Sequence, residues 1–197
     1  DSLSRTITLI DEERIGSNIY KNLQKSNYIV NNILVSDYIS YLGNKLSRNI
    51  SRDRKYVFFV TKSNSVNAFA VPGGYIGLNA GLITLTENEA QLAGVIAHEL
   101  AHSWSGNLVT NRTWNDFWLN EGVTVYIEHR IMEEIRGKGY SDMLSLIEFS
   151  ELKNEVIELK NANRIYDTRL KLDLKGRDPD DCITQIAYVK GAYFFKT

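Results

Sequence analysis

The feature that most constrains this chain is the segment His98-Glu99-Leu100-Ala101-His102, in which two histidines stand four residues apart. In an α-helix, residues at this spacing lie on the same face about one turn apart, so both imidazoles can reach one metal ion. The carboxylate of Glu99 is placed beside that ion, where it is expected to act as a base and not as a ligand. The segment therefore predicts a helix that carries a metal centre.

A third ligand is predicted at Glu121, within the segment Asn120-Glu121-Gly122 on the next predicted helix. Two histidines and one carboxylate, with a fourth position left for water, form the ligand set of a catalytic zinc site. The chain has only three histidines, and two of them lie in the motif. We therefore expect one zinc ion per chain, held by His98, His102 and Glu121.

Two further residues lie about two turns beyond Glu121 on the same predicted helix. Glu128 shares a helix face with Glu121, so its carboxylate could orient a ligand from outside the metal's own shell. A solvated surface charge is an equally good interpretation of Glu128. The third histidine, His129, points elsewhere on that helix and is predicted to lie on the surface.

Composition excludes several classes of protein. The 23 basic and 24 acidic residues give a net charge of −1 without strong segregation, so nothing indicates nucleic-acid binding. The single cysteine, Cys182, cannot form an internal disulfide and is expected to be an inert small residue. No apolar run approaches the roughly 20 residues that a transmembrane helix requires. The chain begins at Asp1, which fits removal of an export signal and fits an artificial start equally well.

The order of patterns along the chain predicts an α+β fold. After an extended arm over residues 1–10, apolar stripes at helical spacing predict one helix from Glu12 to about Leu23 and another from Val30 to Leu46. A charged loop is expected over 47–55. Three short strands follow at 56–60, 66–71 and 75–78, because these runs are β-branched or aromatic and end at turn residues.

The third predicted strand contains Gly77 and directly follows Gly73 and Gly74. Glycine weakens a strand but lets another backbone approach closely, so the segment suits an edge strand along which an extended peptide can pair. The predicted substrate-binding residues are Gly73, Gly74, Tyr75, Ile76 and Gly77. A simple hairpin with a glycine turn is the alternative, and the two interpretations are compatible.

The second half of the chain is predicted to be helical. The capping-box pattern over 86–89 indicates the start of the metal-binding helix, which is expected to run to about Trp104. Later helices are predicted from near Asp116 to Gly137 and over about 142–160, and a last one opens at Asp180 or Asp181. The sequence ends inside the apolar pattern of this last helix, which suggests a truncated chain.

Two stretches resemble gluzincin metallopeptidases, but not the same family. Residues 67–79 (Asn-Ala-Phe-Ala-Val-Pro-Gly-Gly-Tyr-Ile-Gly-Leu-Asn) and 88–99 resemble the periplasmic β-barrel-assembly-enhancing protease family, and this likeness extends over residues 1–102. From about Val95 onward, residues 97–110 and 114–122 resemble the leukotriene hydrolase and aminopeptidase N family. We therefore expect a natural or engineered fusion at the shared helix.

The resemblance implies one zincin-like catalytic domain over 1–197, in which residues 1–102 supply helices, a small mixed sheet and the active-site helix. Residues 103–197 would supply the third ligand. Zinc would lower the pKa of a water towards about 7, and Glu99 would take its proton as general base. In the aminopeptidase family a tyrosine stabilises the oxyanion, and the segment 187–191 resembles its setting. Tyr188 is the candidate, although an aromatic core residue is as good an interpretation.

The resemblance also bears on substrate and location. The aminopeptidase family grips the substrate's free amine with a glutamate in a Gly-Gly-Met-Glu-Asn segment, and Ile76 stands where that glutamate should be. An isoleucine cannot pair with an ammonium group, so we expect an endopeptidase acting on unfolded or extended polypeptide. The alternatives are an aminopeptidase of the leukotriene hydrolase type and a non-catalytic, zinc-stabilised binding or chaperone-like module. Epoxide hydrolysis rests on analogy alone.

A bacterial periplasmic location is expected, with the cytoplasm as alternative, and the oligomeric state is open.

Overall fold

The computed structural model describes residues 8–48 and 55–196. The chain divides into two compact units, residues 1–103 and 104–197. This boundary falls next to the division between 102 and 103 that the sequence suggested. A single catalytic domain over the whole chain stays a prediction.

Within its described residues, 8–48 and 55–103, the first unit combines four helices with a small sheet. Its elements in chain order are α1 (Leu9–Lys25), α2 (Ile33–Ser47), β1 (Val57–Thr61), β2 (Ala68–Val71), β3 (Tyr75–Asn79), α3 (Ala80–Leu85) and α4 (Glu89–His102). The three strands and the two long early helices were predicted, whereas the short helix α3 was not. The core of this unit is formed by side chains of α2, the sheet and α4, among them Ile39, Leu42, Phe59, Leu78 and Ile96.

The sheet has the strand order β1-β3-β2 and is mixed, as predicted. Strand β3 pairs in parallel with β1, with Phe58 opposite Ile76, and antiparallel with β2, with Ala70 opposite Ile76. The prediction that this strand is an edge was therefore wrong, because both of its backbone edges already carry ladder partners. The reason is that β3 enters the sheet between β1 and β2. Local sequence patterns do not encode this order of strands.

Helix α1 begins earlier than its apolar stripe indicated. The hydroxyl of Thr8 accepts a hydrogen bond from the Asp11 amide at 3.2 Å, and the Asp11 carboxylate accepts one from the Thr8 amide at 3.3 Å. This reciprocal capping box satisfies two amides that the first helical turn would otherwise leave unpaired. The predicted extended arm is therefore helical from Leu9 onward, and its residues 1–7 lie outside the described part of the chain. Most of the predicted charged loop, residues 49–54, lies outside it as well.

Helix α4 is capped by Asn88 and not by Thr86. The Asn88 side chain accepts a hydrogen bond from the Gln91 amide at 3.0 Å, and the Gln91 side chain accepts one from the Glu87 amide at 2.8 Å. Thr86 instead ends α3, where its amide donates to the Leu82 carbonyl. The N-cap lies two residues further along than predicted, because Thr86 already ends a helix that the sequence did not reveal.

The second unit is helical throughout its regular structure. It contains a 3-10 turn (Trp114–Asp116), α5 (Phe117–Arg136), α6 (Lys138–Asn161), 3-10 turns at Ile165–Thr168 and Pro179–Cys182, a π-helical turn (Ile186–Lys190) and α7 (Gly191–Lys196). Helix α5 has the predicted bounds, and it ends at Gly137, whose φ of 87° lets the chain turn directly into α6. Helix α6 begins at Lys138, before the predicted start near 142. The last predicted helix is a succession of three shorter turns and helices.

An ion-pair cluster fixes the irregular segment between α6 and α7. The buried carboxylate of Asp167 accepts two hydrogen bonds from Arg177, at 2.7 and 2.9 Å, and one from Arg164 at 2.7 Å. Arg177 also donates to Asp181 at 3.0 Å. The neighbouring Cys182 is buried, its thiol donates to the Pro179 carbonyl, and burial raises its pKa, which agrees with the inert residue expected.

No helix within residues 8–48 and 55–196 is both long and apolar enough to cross a membrane.

Candidate metal centre

The two histidines of the motif lie on one face of α4. The ring centroids of His98 and His102 are 4.8 Å apart with an interplanar angle of 80°, and both side chains are half-buried. The other side of the helix is buried against α2 and the sheet, through Leu92, Ile96 and Leu100, each at most 4% exposed. This burial fixes the rotation of α4 about its axis and thereby the direction of the face that carries the imidazoles.

Glu99 is the next residue round the helix from His98, and it is only 9% exposed. A carboxylate so far removed from water interacts more strongly with neighbouring charges than an exposed one does. Its position in sequence and its burial suit the role of a base in a site that excludes most of the solvent.

The predicted third ligand, Glu121, lies in the second turn of α5 and is 7% exposed. The start of this helix is held by the preceding residues. The Asp116 carboxylate receives a hydrogen bond from the Thr113 hydroxyl at 2.8 Å and an ion pair from Lys171 at 2.9 Å. Lys171 and then Thr113 hold the pKa of Asp116 below its usual value. Asn115 anchors the segment 172–174, because its carbonyl and side chain accept the amides of Leu172 and Leu174.

The donor atoms are of the kind that zinc prefers. His98, His102 and Glu121 offer one ligand atom each, two imidazole nitrogens and one carboxylate oxygen. Borderline-soft zinc accepts this mixture of nitrogen and oxygen ligands, whereas calcium and magnesium require oxygen alone. Within the described residues no other group of three or more His, Cys, Asp or Glu side chains qualifies as a metal site. The residues present therefore fit the zinc ion that the motif implies.

Tyr188 lies in the π-helical turn between the last 3-10 turn and α7. Its ring meets Phe117 of α5 edge to face at a centroid distance of 6.0 Å, and it packs against a cluster that includes Ile186 and Val189. Single π-helical turns within helices occur frequently at functional sites. The structure therefore supports the packing interpretation of Tyr188 directly, and its role as oxyanion donor stays a prediction.

The structure distinguishes Glu128 from its neighbour His129. Glu128 is half-buried on α5, and its role in orienting a ligand stays a prediction. The surface position predicted for His129 was wrong, since this residue is 2% exposed. Its Nε2 atom lies 2.8 Å from the Glu148 carboxylate, and its Nδ1 atom lies 3.4 Å from the Ser145 hydroxyl. Both partners belong to α6, whose packing on this side of α5 could not be inferred from α5 alone.

The predicted substrate-binding segment has a structural role in the sheet. Gly73 and Gly74, with φ of 82° and 85°, form the turn between β2 and β3, so the simple hairpin is the interpretation that holds for them. Ile76 is completely buried. A Cβ atom on Gly77 would lie 2.5 Å from the Phe69 ring, so this glycine makes room for the aromatic side chains that cover the sheet. Peptide binding along an edge at Tyr75 and its neighbours is excluded by the two ladder partners of β3.

One set of contacts beside Glu121 was missed by the sequence analysis. The carbonyl of Asn120 accepts hydrogen bonds from the hydroxyls of Ser105 and Thr124, each at 2.8 Å. The Asn120 side chain accepts another from the Asn111 amide at 3.2 Å. The only signal in the sequence is the clustering of small polar residues just after the second histidine and around Glu121, a pattern too common to predict a specific contact.

A helix with the pattern His-Glu-x-x-His, followed by a helix with a buried glutamate, is characteristic of the gluzincin class of metallopeptidases. Comparison with known families agrees, since a match to the Peptidase family M1 domain covers residues 78–197. The chain belongs to peptidase family M1.

Known relatives are considerably longer than this chain. It is 44% identical over 131 residues to leucine aminopeptidase 2 of Sclerotinia sclerotiorum, a match that covers 66% of this chain and 19% of the relative. It is 43% identical over 131 residues to a leukotriene A-4 hydrolase homolog of Botryotinia fuckeliana, covering 66% and 18%. Among solved structures, yeast leukotriene A4 hydrolase in complex with bestatin matches with a TM-score of 0.63 and 35% identity, over 82% of this chain and 25% of that one. The chain thus spans about a fifth of the length of these relatives.

These comparisons correct two expectations. The likeness to the leukotriene hydrolase and aminopeptidase family does not begin at Val95, because the family match begins at residue 78 and the structural match covers 82% of the chain. The likeness of residues 1–102 to the assembly-enhancing proteases is not among these findings, so a fusion stays a prediction. The expected bacterial periplasmic location was wrong, since the relatives and structures with which the chain compares are fungal.

Proposed function

We propose that this chain forms part of a zinc-dependent aminopeptidase of family M1, with one zinc ion held by His98, His102 and Glu121. The observation that carries the proposal is the presence of all three ligand residues and of Glu99 inside the segment that matches the family. The names of the relatives, leucine aminopeptidase 2 among them, support the release of single amino-terminal residues over cleavage inside a chain.

The chemistry follows from the residues around the proposed zinc site. Zinc, when bound, supplies a Lewis acid that activates water near neutral pH and polarises the scissile carbonyl. Glu99 accepts the proton of the attacking water and returns it to the leaving amine, which is the role of a general base that becomes a general acid. The Tyr188 hydroxyl donates a hydrogen bond to the oxyanion that develops in the transition state. This hydrogen bond stabilises the transition state more than the bound substrate. The carboxylate of Glu128 orients one of the ligand residues.

Endopeptidase action is the second candidate, because one observation favours it. Ile76 stands where the aminopeptidase family has the glutamate that grips the substrate amine, and it is completely buried in the middle strand of the sheet. It can neither pair with an ammonium group nor reach a substrate. An aminopeptidase built on this chain therefore needs another carboxylate for the amine.

The experiment compares two substrates that differ only at the amino terminus. The zinc-loaded protein is incubated with a leucyl peptide and with the same peptide acetylated at its amino group, and products are identified by mass spectrometry. Release of leucine from the free peptide alone supports the aminopeptidase. Internal cuts that acetylation does not affect would support the endopeptidase instead.

Two controls accompany this experiment. The Glu99→Gln variant, prepared in the same way, excludes a contaminating peptidase, and removal of zinc by a chelator followed by its return shows that hydrolysis depends on the metal. If neither peptide is cleaved while one zinc remains bound per chain, both peptidase candidates are wrong. The chain would then be a zinc-stabilised binding module.

A further inference from the structure

We propose that Ser105 is a positioning residue for the zinc ligand Glu121. This inference rests on the proposed function, because it assumes that Glu121 binds zinc. Ser105 follows His102 by three residues in the sequence, and Glu121 lies on α5. The contact through which Ser105 acts lies entirely within the unit of residues 104–197.

Ser105 contacts the peptide group that carries Glu121. Its hydroxyl donates a hydrogen bond of 2.8 Å to the carbonyl of Asn120. That carbonyl and the amide of Glu121 belong to one planar peptide unit. A hydrogen bond that holds the oxygen therefore also holds the bond from the Glu121 nitrogen to its α-carbon. Fixing this plane fixes the origin from which the Glu121 side chain extends.

The same carbonyl receives a second hydroxyl. Thr124, one turn further along α5, donates to it at 2.8 Å, and a carbonyl oxygen has two lone pairs for such donors. Back-bonding of this kind by threonine bends helices slightly. Because Ser105 is 6% exposed and Thr124 is fully buried, water cannot readily replace either hydroxyl when it is removed. The helical repeat of α5 already directs this carbonyl towards the Thr124 amide, and the two hydroxyls are additional donors that hold it in place.

Ser105 lies on a loop that two backbone hydrogen bonds hold closed. The amide of Gly106 donates to the Val109 carbonyl at 2.7 Å, and the amide of Val109 donates to the Trp104 carbonyl at 2.9 Å. The loop returns to α5 a second time, where the Asn111 amide donates to the Asn120 side chain at 3.2 Å. Two contacts to Asn120, one to its backbone and one to its side chain, make the loop a support for the residue directly before Glu121.

Such a support has a measurable consequence for metal binding. Contacts that orient a ligand residue from outside the metal's own shell are typically worth about 10- to 100-fold in metal affinity. We therefore expect Ser105→Ala to weaken zinc binding by about that factor. Ser105→Thr keeps the hydroxyl and should bind zinc nearly as tightly as the unaltered chain.

Ser141→Ala is the matched control. Ser141 is also 6% exposed, and its hydroxyl also donates to a backbone carbonyl of α5, that of His129, at 3.2 Å. Both substitutions remove one buried hydroxyl that donates to a backbone carbonyl of α5, but only Ser105 contacts the peptide group of a proposed ligand. The test measures the zinc dissociation constant by competition with a chromophoric chelator. It also compares the visible absorption of the cobalt-substituted proteins, which reports coordination geometry independently of catalysis.

The outcomes separate this inference from the proposed function. Weaker zinc binding and an altered cobalt spectrum in Ser105→Ala, but not in Ser141→Ala, support the positioning role. Equal effects of the two substitutions, or no effect of either, would overturn it. If Ser105→Ala does not fold, Thr124→Val removes the other hydroxyl on the same carbonyl, and unchanged zinc affinity in that variant would overturn the role. Glu121→Ala tests the ligand itself, since undiminished affinity there would reject the proposed zinc site as a whole.

Discussion

Gly122 and Gly191 meet backbone to backbone where α5 passes the first residue of α7. A Cβ atom built on Gly122 would lie 2.7 Å from both the Cα atom and the carbonyl carbon of Gly191. Real Cβ atoms do not approach backbone atoms so closely, so any larger residue forces the two helices apart. Gly122 directly follows Glu121, and Gly191 directly follows the turn that contains Tyr188. This close helix contact thus lies beside two of the predicted site residues.

The first prediction concerns this contact. Gly122→Ala should lower the free energy of unfolding by about 1–3 kcal/mol, because the added methyl group meets backbone that cannot move aside. Gly139→Ala is the control, since Gly139 lies in α6 and nothing is within 4 Å of its Cβ position. That substitution should stabilise the protein by roughly 0.5–1 kcal/mol, because alanine loses less backbone entropy on folding. Chemical denaturation measures both changes, and effects of the same sign would contradict the packing argument.

The second prediction tests the general base. Glu99→Gln keeps the size of the side chain but removes its ability to accept a proton, so peptide hydrolysis should fall by about 10²- to 10⁴-fold. Zinc content, measured by elemental analysis, should stay at one ion per chain. Glu87→Gln makes the same chemical change at an exposed position and should leave hydrolysis unchanged. Equal activity of the Glu99→Gln and unaltered proteins would remove Glu99 from the mechanism.

The third prediction separates the two interpretations of Tyr188. Tyr188→Phe keeps the ring that packs against Phe117, so stability should change little. If its hydroxyl stabilises the oxyanion, kcat should fall by about 10²- to 10³-fold while KM stays similar. Tyr193→Phe is a matched control, because the Tyr193 hydroxyl donates to the Ser145 carbonyl at 3.0 Å. Its loss should cost about 1 kcal/mol of stability and leave kcat unchanged. A normal kcat in Tyr188→Phe would leave that residue with packing alone.

The fourth prediction concerns the acid side of the stability curve. Hydrogen bonds from Arg177 and Arg164 hold the pKa of Asp167 below its ordinary value of 3.8, although burial opposes this shift. A carboxyl group whose pKa is lower in the folded state stabilises the protein above its unfolded pKa, and this contribution is lost as the pH falls through the folded value. Stability should therefore decrease below about pH 4 partly through this group.

Asp167→Asn should reveal that contribution. At pH 7 the substitution should lower the free energy of unfolding by about 2 kcal/mol, the usual worth of hydrogen bonds to a charged group. The difference from the unaltered protein should shrink as the pH falls below 4, because the native carboxyl group is then protonated as well. Asp142→Asn, which removes an exposed pair with Lys138, should have little effect at either pH. A pH-independent difference for Asp167→Asn would contradict the shifted pKa.

Local patterns predicted the helices and strands well where the signal is periodic along the chain. The apolar stripes indicated α1 and α2, and the aromatic and β-branched run at 56–60 indicated β1. The predictions failed where a residue's surroundings come from distant parts of the chain. His129 was expected at the surface, but α6 covers that side of α5 and places Glu148 and Ser145 against its ring.

Substrate specificity, too, was predicted only in part from the sequence. The absence of a glutamate at Ile76 is visible in the sequence, and the burial of Ile76 agrees that it takes no part in binding an amine. Yet the edge strand on which the endopeptidase interpretation relied does not exist at that position, because β1 and β2 flank β3. The relatives instead favour the aminopeptidase that the sequence analysis treated as the alternative.

The sequence by itself determined that His98 and His102 share one helix face, on which the proposed metal centre rests. Two histidines four residues apart share a helix face whatever surrounds that helix, because the helical repeat of 3.6 residues is set by backbone geometry. Only the tertiary structure decided that β3 is the middle strand, that His129 is buried, and that Ser105 and Thr124 converge on the carbonyl before Glu121. These relationships join residues far apart in the chain or depend on which helix face is covered. They arise from packing and pairing between elements, which no local pattern records.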